Sequence, residues 1–125
     1  MFLPEDNLRI WLCTSPTDMR CSFDGLAARA RNQLQEDPLS GALFVFPNRR
    51  RTQLKILFFD RNGYCVWAKR LERGLFDVTF NAEVKTPLSL MALRMMIDGL
   101  VPRAFSQRVR YKRGNQCIGE NAIRE

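Results

Sequence analysis

The chain has 125 residues, 46% of them hydrophobic and 26% charged, which is the composition of one ordinary globular domain. Its formal net charge of +7 favours anionic partners. No apolar run approaches the roughly 20 residues of a membrane span, and the N-terminus lacks the basic-then-apolar pattern of a signal peptide, so we expect a cytoplasmic protein without membrane contact.

A strand and a helix are predicted first. The apolar run LRIWLC at residues 8–13 favours a short strand. Ser15-Pro16 ends this strand, and Thr17 or Asp18 then caps a helix. The helix is predicted at residues 18–35, because apolar residues recur there at helical spacing: Met19, Phe23, Leu26, Ala30 and Leu34.

Three consecutive antiparallel strands are predicted next, at residues 43–46, 53–60 and 64–71. Each is rich in β-branched and aromatic residues. Pro47-Asn48 opens the first turn and Asn62-Gly63 supplies the second. The middle strand has apolar residues on both faces, which indicates a central strand covered on both sides.

The pairing of the second and third strands of this meander depends on the length of the Asn62-Gly63 loop. A two-residue loop places Lys55 opposite Arg70, and a three-residue loop places it opposite Lys69. Like charges that face each other across a ladder destabilise it. A sheet that tolerates such a pair favours an anionic partner at that place.

Further short strands are predicted at residues 75–80 and 82–85, before a second helix from Pro87 to Asp98 that stops at Gly99. This helix is apolar on most of its sides, so it either belongs to the core or docks on a partner. The candidate partner-binding residues are its methionines Met91 and Met95.

The end of the chain, residues 102–125, has no periodicity and is punctuated by basic residues. Such a tail is flexible in solution or forms an arm that orders on nucleic acid. We therefore expect a single domain at residues 1–101, followed by a flexible basic tail.

Positive charge is concentrated in two parts of the chain. Residues 42–74 hold eight Lys or Arg and two acids, which gives +6, and residues 101–125 hold six and two, which gives +4. Three arginines at one hairpin tip can reach DNA phosphates without disturbing the core. The candidate DNA-binding residues are Arg49, Arg50, Arg51, Lys55, Lys69, Arg70 and Arg73.

Residue types that carry catalysis are missing or scattered. The chain has no histidine, so the common general base and the usual partner of a Ser or Cys nucleophile are absent. Nuclease or strand-transfer chemistry needs carboxylates gathered around metal ions, and no recognisable paired spacing exists among Asp18, Asp24, Asp60, Glu72, Asp77 and Asp98. Without a CxxC pair we expect reduced thiols at Cys13, Cys21, Cys65 and Cys117. These patterns predict no enzyme, no cofactor, no metal and no small-molecule substrate.

Two segments together resemble a known family. PTDMRCSFDGLA at residues 16–27 and LFVFPNRRRTQLKILFFDRNGYCVWAKRLERGLF at residues 43–76 are similar to the TnpB accessory protein, the second open reading frame, of bacterial insertion-sequence family sixty-six. This is not the RNA-guided nuclease that shares the TnpB name. The similarity covers about residues 8–100, and the motif positions are Pro16, Asp18, Arg20, Asp24, Gly25, Arg49, Arg50, Lys55, Asp60, Gly63, Trp67, Lys69, Arg70, Leu71 and Glu72.

The resemblance implies a role in DNA transposition, beside a separate transposase that carries the catalytic carboxylates. We expect an α+β fold, with an antiparallel β-meander of three or more strands packed with two main helices. The leading hypothesis is a non-catalytic accessory protein that contacts DNA phosphates at the element ends through the arginine turn. The alternatives are an interaction module that docks on the transposase without touching DNA, and a small metal-dependent nuclease.

Overall fold

The computed structural model describes residues 8–101 and 106–107. Seven strands and two helices follow one another in the order β1 (Ile10–Cys13), α1 (Phe23–Ala28), β2 (Leu43–Pro47), β3 (Gln53–Asp60), β4 (Gly63–Arg70), β5 (Lys85–Leu88), α2 (Leu90–Asp98), β6 (Leu100–Val101) and β7 (Ser106–Gln107). Helix α1 continues without a break as a π-helical turn, Arg29–Gln33. The predicted α+β fold is confirmed.

The first five strands form one sheet in the order β4-β3-β2-β1-β5. Strands β2, β3 and β4 make the predicted antiparallel meander, and β5 pairs antiparallel with β1. β1 and β2 are parallel, because the chain crosses over through α1 between them. The middle strand of the five is β2 rather than β3, and all five of its residues are buried.

Successive side chains of a strand point to opposite faces of the sheet. Apolar side chains lie on both faces of this sheet, so both faces are buried. On one face α2 and the segment after β4 cover a core that includes Leu12, Val45, Ile56, Phe76, Val78, Leu93 and Met96. On the other face α1 and its π-helical turn cover a core that includes Cys13, Leu26, Ala30, Leu34, Phe44, Phe46 and Leu57.

Helix α1 begins five residues later than the sequence predicts. Its N-cap is Ser22, whose side chain makes no capping hydrogen bond, so the prediction of a cap at Thr17 or Asp18 is wrong. Asp18 instead accepts hydrogen bonds from the backbone and guanidinium of Arg20, which holds residues 18–22 as a loop. The prediction that the apolar residues of this helix face the core is also wrong for its one aromatic member, because Phe23 is 46% exposed.

The far end of α1 is attached to β5 by Lys85. Its Nζ donates a hydrogen bond of 2.8 Å to the carbonyl of Leu34 and forms an ion pair with Glu36. The same ammonium lies 4.6 Å from the ring centroid of Trp11 on β1. A cation at a helix C-terminus is favourable, and this one joins three elements.

The strand register corrects the predicted pairing of Lys55. Residue Asp60 pairs with Gly63, so the loop is Arg61-Asn62 and Lys55 lies opposite Ala68, not opposite a like charge. This register places Trp67 across from Ile56 and Val66 across from Leu57. Apolar cross-strand pairs on both buried faces stabilise it.

The segment between β4 and α2 also departs from the predictions. Residues 75–80 form no strand, although they bury Phe76 and Val78. The strand in this region is β5, and Pro87 lies within it instead of starting the helix. Proline is tolerated there because β5 is at the edge of the sheet. Helix α2 is capped by Ser89, whose Oγ accepts from the amide of Ala92 at 3.0 Å, and it ends at Gly99 in the left-handed region, as predicted.

The predicted tail at residues 102–125 lies outside the described residues, except for β7, which pairs with β6. The domain boundary near residue 101 and the flexibility of the tail stay predictions. Neither helix in the described ranges has the length and apolar character that crossing a membrane requires.

Candidate nucleic-acid interface

Strand direction gathers six arginines at one end of the sheet. Because β1, β2 and β4 point the same way, their carboxyl ends lie at the same end of the sheet. We call this end the arginine edge, and it consists of the arginines in the loop after β1, in the β2–β3 turn and at the end of β4: Arg20, Arg49, Arg50, Arg51, Arg70 and Arg73.

Backbone hydrogen bonds join the three segments of the arginine edge. The amide of Thr17 donates to the carbonyl of Pro47 at 2.9 Å, which holds the loop after β1 beside the turn. The amide of Leu71 donates to the carbonyl of Thr52, and the amide of Phe76 to that of Arg51, each at 2.7 Å. The edge is therefore part of the folded scaffold.

Asn48 shapes the turn that carries three of the arginines. Its Oδ1 accepts from the amides of Thr52 and Gln53 at 2.9 and 3.1 Å. Its Nδ2 donates to the hydroxyl of Thr52 at 3.2 Å. A short amide side chain of this kind commonly closes a turn. The sequence predicted Asn48 only as a residue that opens the turn. Its hydrogen bonds across the turn could have been anticipated from the residue type, because asparagine often closes turns in this way.

The three turn arginines differ in their surroundings. Arg49 and Arg50 are exposed, and in the part of the chain that the structure describes neither forms an ion pair or a side-chain hydrogen bond. Arg51 is half-buried, adopts a φ of 61° and donates from Nη1 to the carbonyl of Val78 at 3.3 Å. Two guanidinium groups of the turn are thus available to an anion, while the third also attaches the turn to the segment after β4.

Two other arginines of the edge are paired with acids. Arg20 Nη2 lies 2.6 Å from Asp18 Oδ2, and Arg70 Nη2 lies 3.2 Å from Glu72 Oε2. Both pairs are on the surface, where such pairs contribute little to stability. Hydrogen bonds from the Arg20 side chain and backbone lower the pKa of Asp18 to about 2. Arg73 is exposed and has no acid partner among residues 8–101 and 106–107.

The three lysines within residues 8–101 all donate to backbone carbonyls near helix ends. Nζ of Lys55 donates to the carbonyls of Met19 and Cys21, at 2.9 and 2.8 Å, just before α1. Nζ of Lys69 donates at 3.2 Å to the carbonyl of Ile97 in the last turn of α2. With Lys85 at the end of the π-helical turn, these side chains attach helices to the sheet.

The predicted partner-binding methionines lie on α2. Met91 is 64% exposed, whereas Met95 is half-buried and the adjacent Met96 is buried in the core. The helix therefore belongs to the core through one side and leaves Met91 on the surface.

The described residues contain no metal-binding constellation. Across residues 8–101 and 106–107, no three His, Cys, Asp or Glu side chains form a group that could hold a metal ion. Cys13, Cys21 and Cys65 are free thiols, and Cys117 lies outside the described residues.

The sequence matches the family model described as IS66 Orf2 like protein over residues 8–107. The chain belongs to this family. It is 47% identical over 70 residues to the uncharacterized protein y4hO of Sinorhizobium fredii (strain NBRC 101917 / NGR234), covering 56% of this chain and 61% of that protein. It is 37% identical over 76 residues to the uncharacterized protein y4jC of the same strain, covering 61% and 65%. The chain thus spans less than two thirds of the length of these curated relatives, and no solved structure matches it.

Lys55 in this IS66 Orf2-like protein is expected to stabilise the fold. Lys55→Met removes two hydrogen bonds from a charged donor, so the free energy of unfolding should fall by about 1.5–3 kcal/mol in urea denaturation. Arg50→Met, at an exposed position of the turn, is the control and should change it by less than about 0.5 kcal/mol. Equal stability of the Lys55→Met variant and the wild type would contradict this role.

The Asp18–Arg20 pair of the IS66 Orf2-like protein predicts a pH dependence. A lowered carboxyl pKa stabilises the fold above the ordinary value of 3.8, and this contribution is lost as the pH falls towards about 2. In a carbon-13 NMR titration, Asp18 should have a midpoint near 2, and Arg20→Ala should raise it towards 3.8. Arg31→Ala is the control, because Arg31 is an exposed helix arginine away from Asp18. A midpoint that Arg20→Ala does not move would contradict the pairing.

Proposed function

We propose that this protein is a non-catalytic accessory factor for transposition of a bacterial insertion sequence, and that it contacts DNA phosphates through the arginine edge. The observation that carries the proposal is the exposure of Arg49 and Arg50 on a turn that the hydrogen bonds of Asn48 hold in place. Membership of the IS66 Orf2-like family supplies the transposition context. The DNA ends of the element and its transposase are the proposed partners, in the bacterial cytoplasm.

The contacts within the chain rank the candidate residues. Arg49, Arg50 and Arg73 are the principal phosphate contacts in this proposal, because their guanidinium groups can approach DNA without giving up an ion pair within the described ranges. Arg51 and Arg70 contribute while keeping their present partners. Lys55 and Lys69 act mainly by positioning the loop before α1 and the end of α2.

Binding through phosphates carries a measurable salt dependence. Each neutralised phosphate contributes about −0.9 to the slope of log K against log salt concentration. The proposal assigns no element of the described chain to the major groove, so it contains no base-specific readout.

The test is an anisotropy titration with DNA from the terminal repeat at several salt concentrations. Replacing both Arg49 and Arg50 with Ala should make the slope less negative by about 1.8, because two phosphate contacts of about 0.9 each are lost. The control replaces Arg61, at the opposite end of the sheet, and Arg94, on α2, with Ala; this removes the same charge. If both double variants change the slope equally, or if neither changes it, the assignment of phosphate contacts to Arg49 and Arg50 is wrong.

The exposure of Met91 favours a second function, docking on the transposase without DNA contact. An exposed methionine on a helix adapts its shape to a partner surface. In this arrangement α2 presents Met91 and the half-buried Met95, and the arginine edge plays no part.

Co-purification with the transposase distinguishes the two functions. If Met91 is central to a docking surface, Met91→Gln should reduce the retained transposase about fivefold or more, since loss of a central interface residue costs more than about 1 kcal/mol. Leu39→Gln, at an exposed apolar position in the loop before β2, is the control and should retain it. Retention that depends on Arg49 and Arg50 but not on Met91 would contradict this second function.

A further inference from the structure

Phe23 exposes an aromatic ring where the sequence pattern predicts a core residue. Its side chain is 46% exposed and belongs to neither of the two core clusters. Leu39, Leu75 and Met91 are the other large exposed apolar residues of the described chain, so Phe23 is the aromatic member of that set. Phe23 is the first residue of α1, so the start of this helix carries an exposed phenyl ring.

The position of Phe23 is set by contacts to the basic part of the sheet. Lys55 holds the carbonyls of Met19 and Cys21, so the start of α1 lies over β3. On the same face of the sheet, Ala68 faces Lys55 across the β3–β4 ladder, and Arg70 follows two residues further towards the arginine edge. Arg20, in the loop that leads into α1, is also exposed.

Phe23 follows Arg20 by three residues, so an exposed aromatic ring adjoins one segment of the arginine edge along the chain. Exposed guanidinium groups and an exposed aromatic ring thus occur together in this part of the fold. Proteins that bind single-stranded nucleic acid use this combination, because the cations follow the phosphates while the bases stack on the rings. In an intact duplex the faces of the bases are stacked on one another, so a surface phenyl group has no base face to meet. An unpaired strand offers one.

We infer that the arginine edge binds single-stranded DNA in preference to an intact duplex, with Phe23 stacking on an unpaired base. The inference rests on the proposed phosphate contact of Arg49 and Arg50 and adds the class of DNA to it. The ligand is a flexible strand or an unpaired end, held by its backbone at the turn and by one base at the start of α1.

The experiment compares three fluorescein-labelled probes of equal length in anisotropy titrations. They are an oligothymidylate, a duplex, and an abasic strand that keeps the deoxyribose-phosphate backbone. Phe23→Ala removes the ring, Phe23→Trp keeps a stacking surface, and Leu39→Ala is the matched control, because Leu39 is exposed in the loop before β2. Thermal melting of each variant checks that the fold is retained.

The expected result is tighter binding of oligothymidylate than of duplex by the wild-type protein. Phe23→Ala should weaken oligothymidylate binding about 5- to 150-fold, the range for loss of one stacked base, and leave binding of the abasic strand unchanged. Phe23→Trp should restore the preference, and Leu39→Ala should behave as the wild type.

Failure of the inference and failure of the proposed function look different. Suppose that Phe23→Ala binds oligothymidylate as the wild type does, while replacing Arg49 and Arg50 with Ala still makes the slope of log K against log salt less negative. The stacking role is then wrong and the phosphate contact stands. Equal affinity of the wild-type protein for duplex and single strand also overturns the inference alone, provided that the Arg49 and Arg50 double variant still changes the salt slope. If the wild-type protein binds none of the three probes, the proposed DNA contact falls as well.

Discussion

The parallel pairing of β1 with β2 is the constraint on which the rest of the structure depends. Parallel strands require a crossover, and here the crossover contains α1, which covers one face of the sheet. The same pairing places the carboxyl ends of β1 and β2 together, so the loop that contains Arg20 meets the turn that contains Arg49 and Arg50. An antiparallel arrangement of β1 would have sent these segments to opposite ends of the sheet.

Lysine and arginine have different places in this fold. Lys69 and Lys85 place compact ammonium groups against carbonyl oxygens at the C-terminal ends of helical segments, where carbonyl groups lack partners within the helix. Lys55 donates instead to two carbonyls of the loop before α1. The exposed arginines Arg49 and Arg50 keep their planar guanidinium groups towards solvent, a geometry suited to phosphate. Part of the positive charge therefore holds the fold together, and another part is available to a partner.

Family membership and the geometry bear on different questions. The match to the IS66 Orf2-like family covers the described domain and supplies the biological setting. It does not distinguish a residue that touches DNA from one that holds the scaffold. The contacts of Lys55 show that this side chain holds the loop before α1, whereas the exposure of Arg49 leaves it accessible for the proposed phosphate contact. Both positions belong to the same basic strand-and-turn region.

The sequence by itself determined the meander, the two apolar helix faces, the concentration of basic residues and the family, because alternation, turn residues and charge are local properties. Only the tertiary structure decided the parallel β1–β2 pair, the register at Lys55 and the late start of α1. Each depends on contacts between residues far apart in the chain, as in the bond from Lys55 to the carbonyls of Met19 and Cys21. Phe23 shows the limit most clearly: helical spacing assigns it to the core, and the path of the loop before α1 leaves it exposed at the start of the helix.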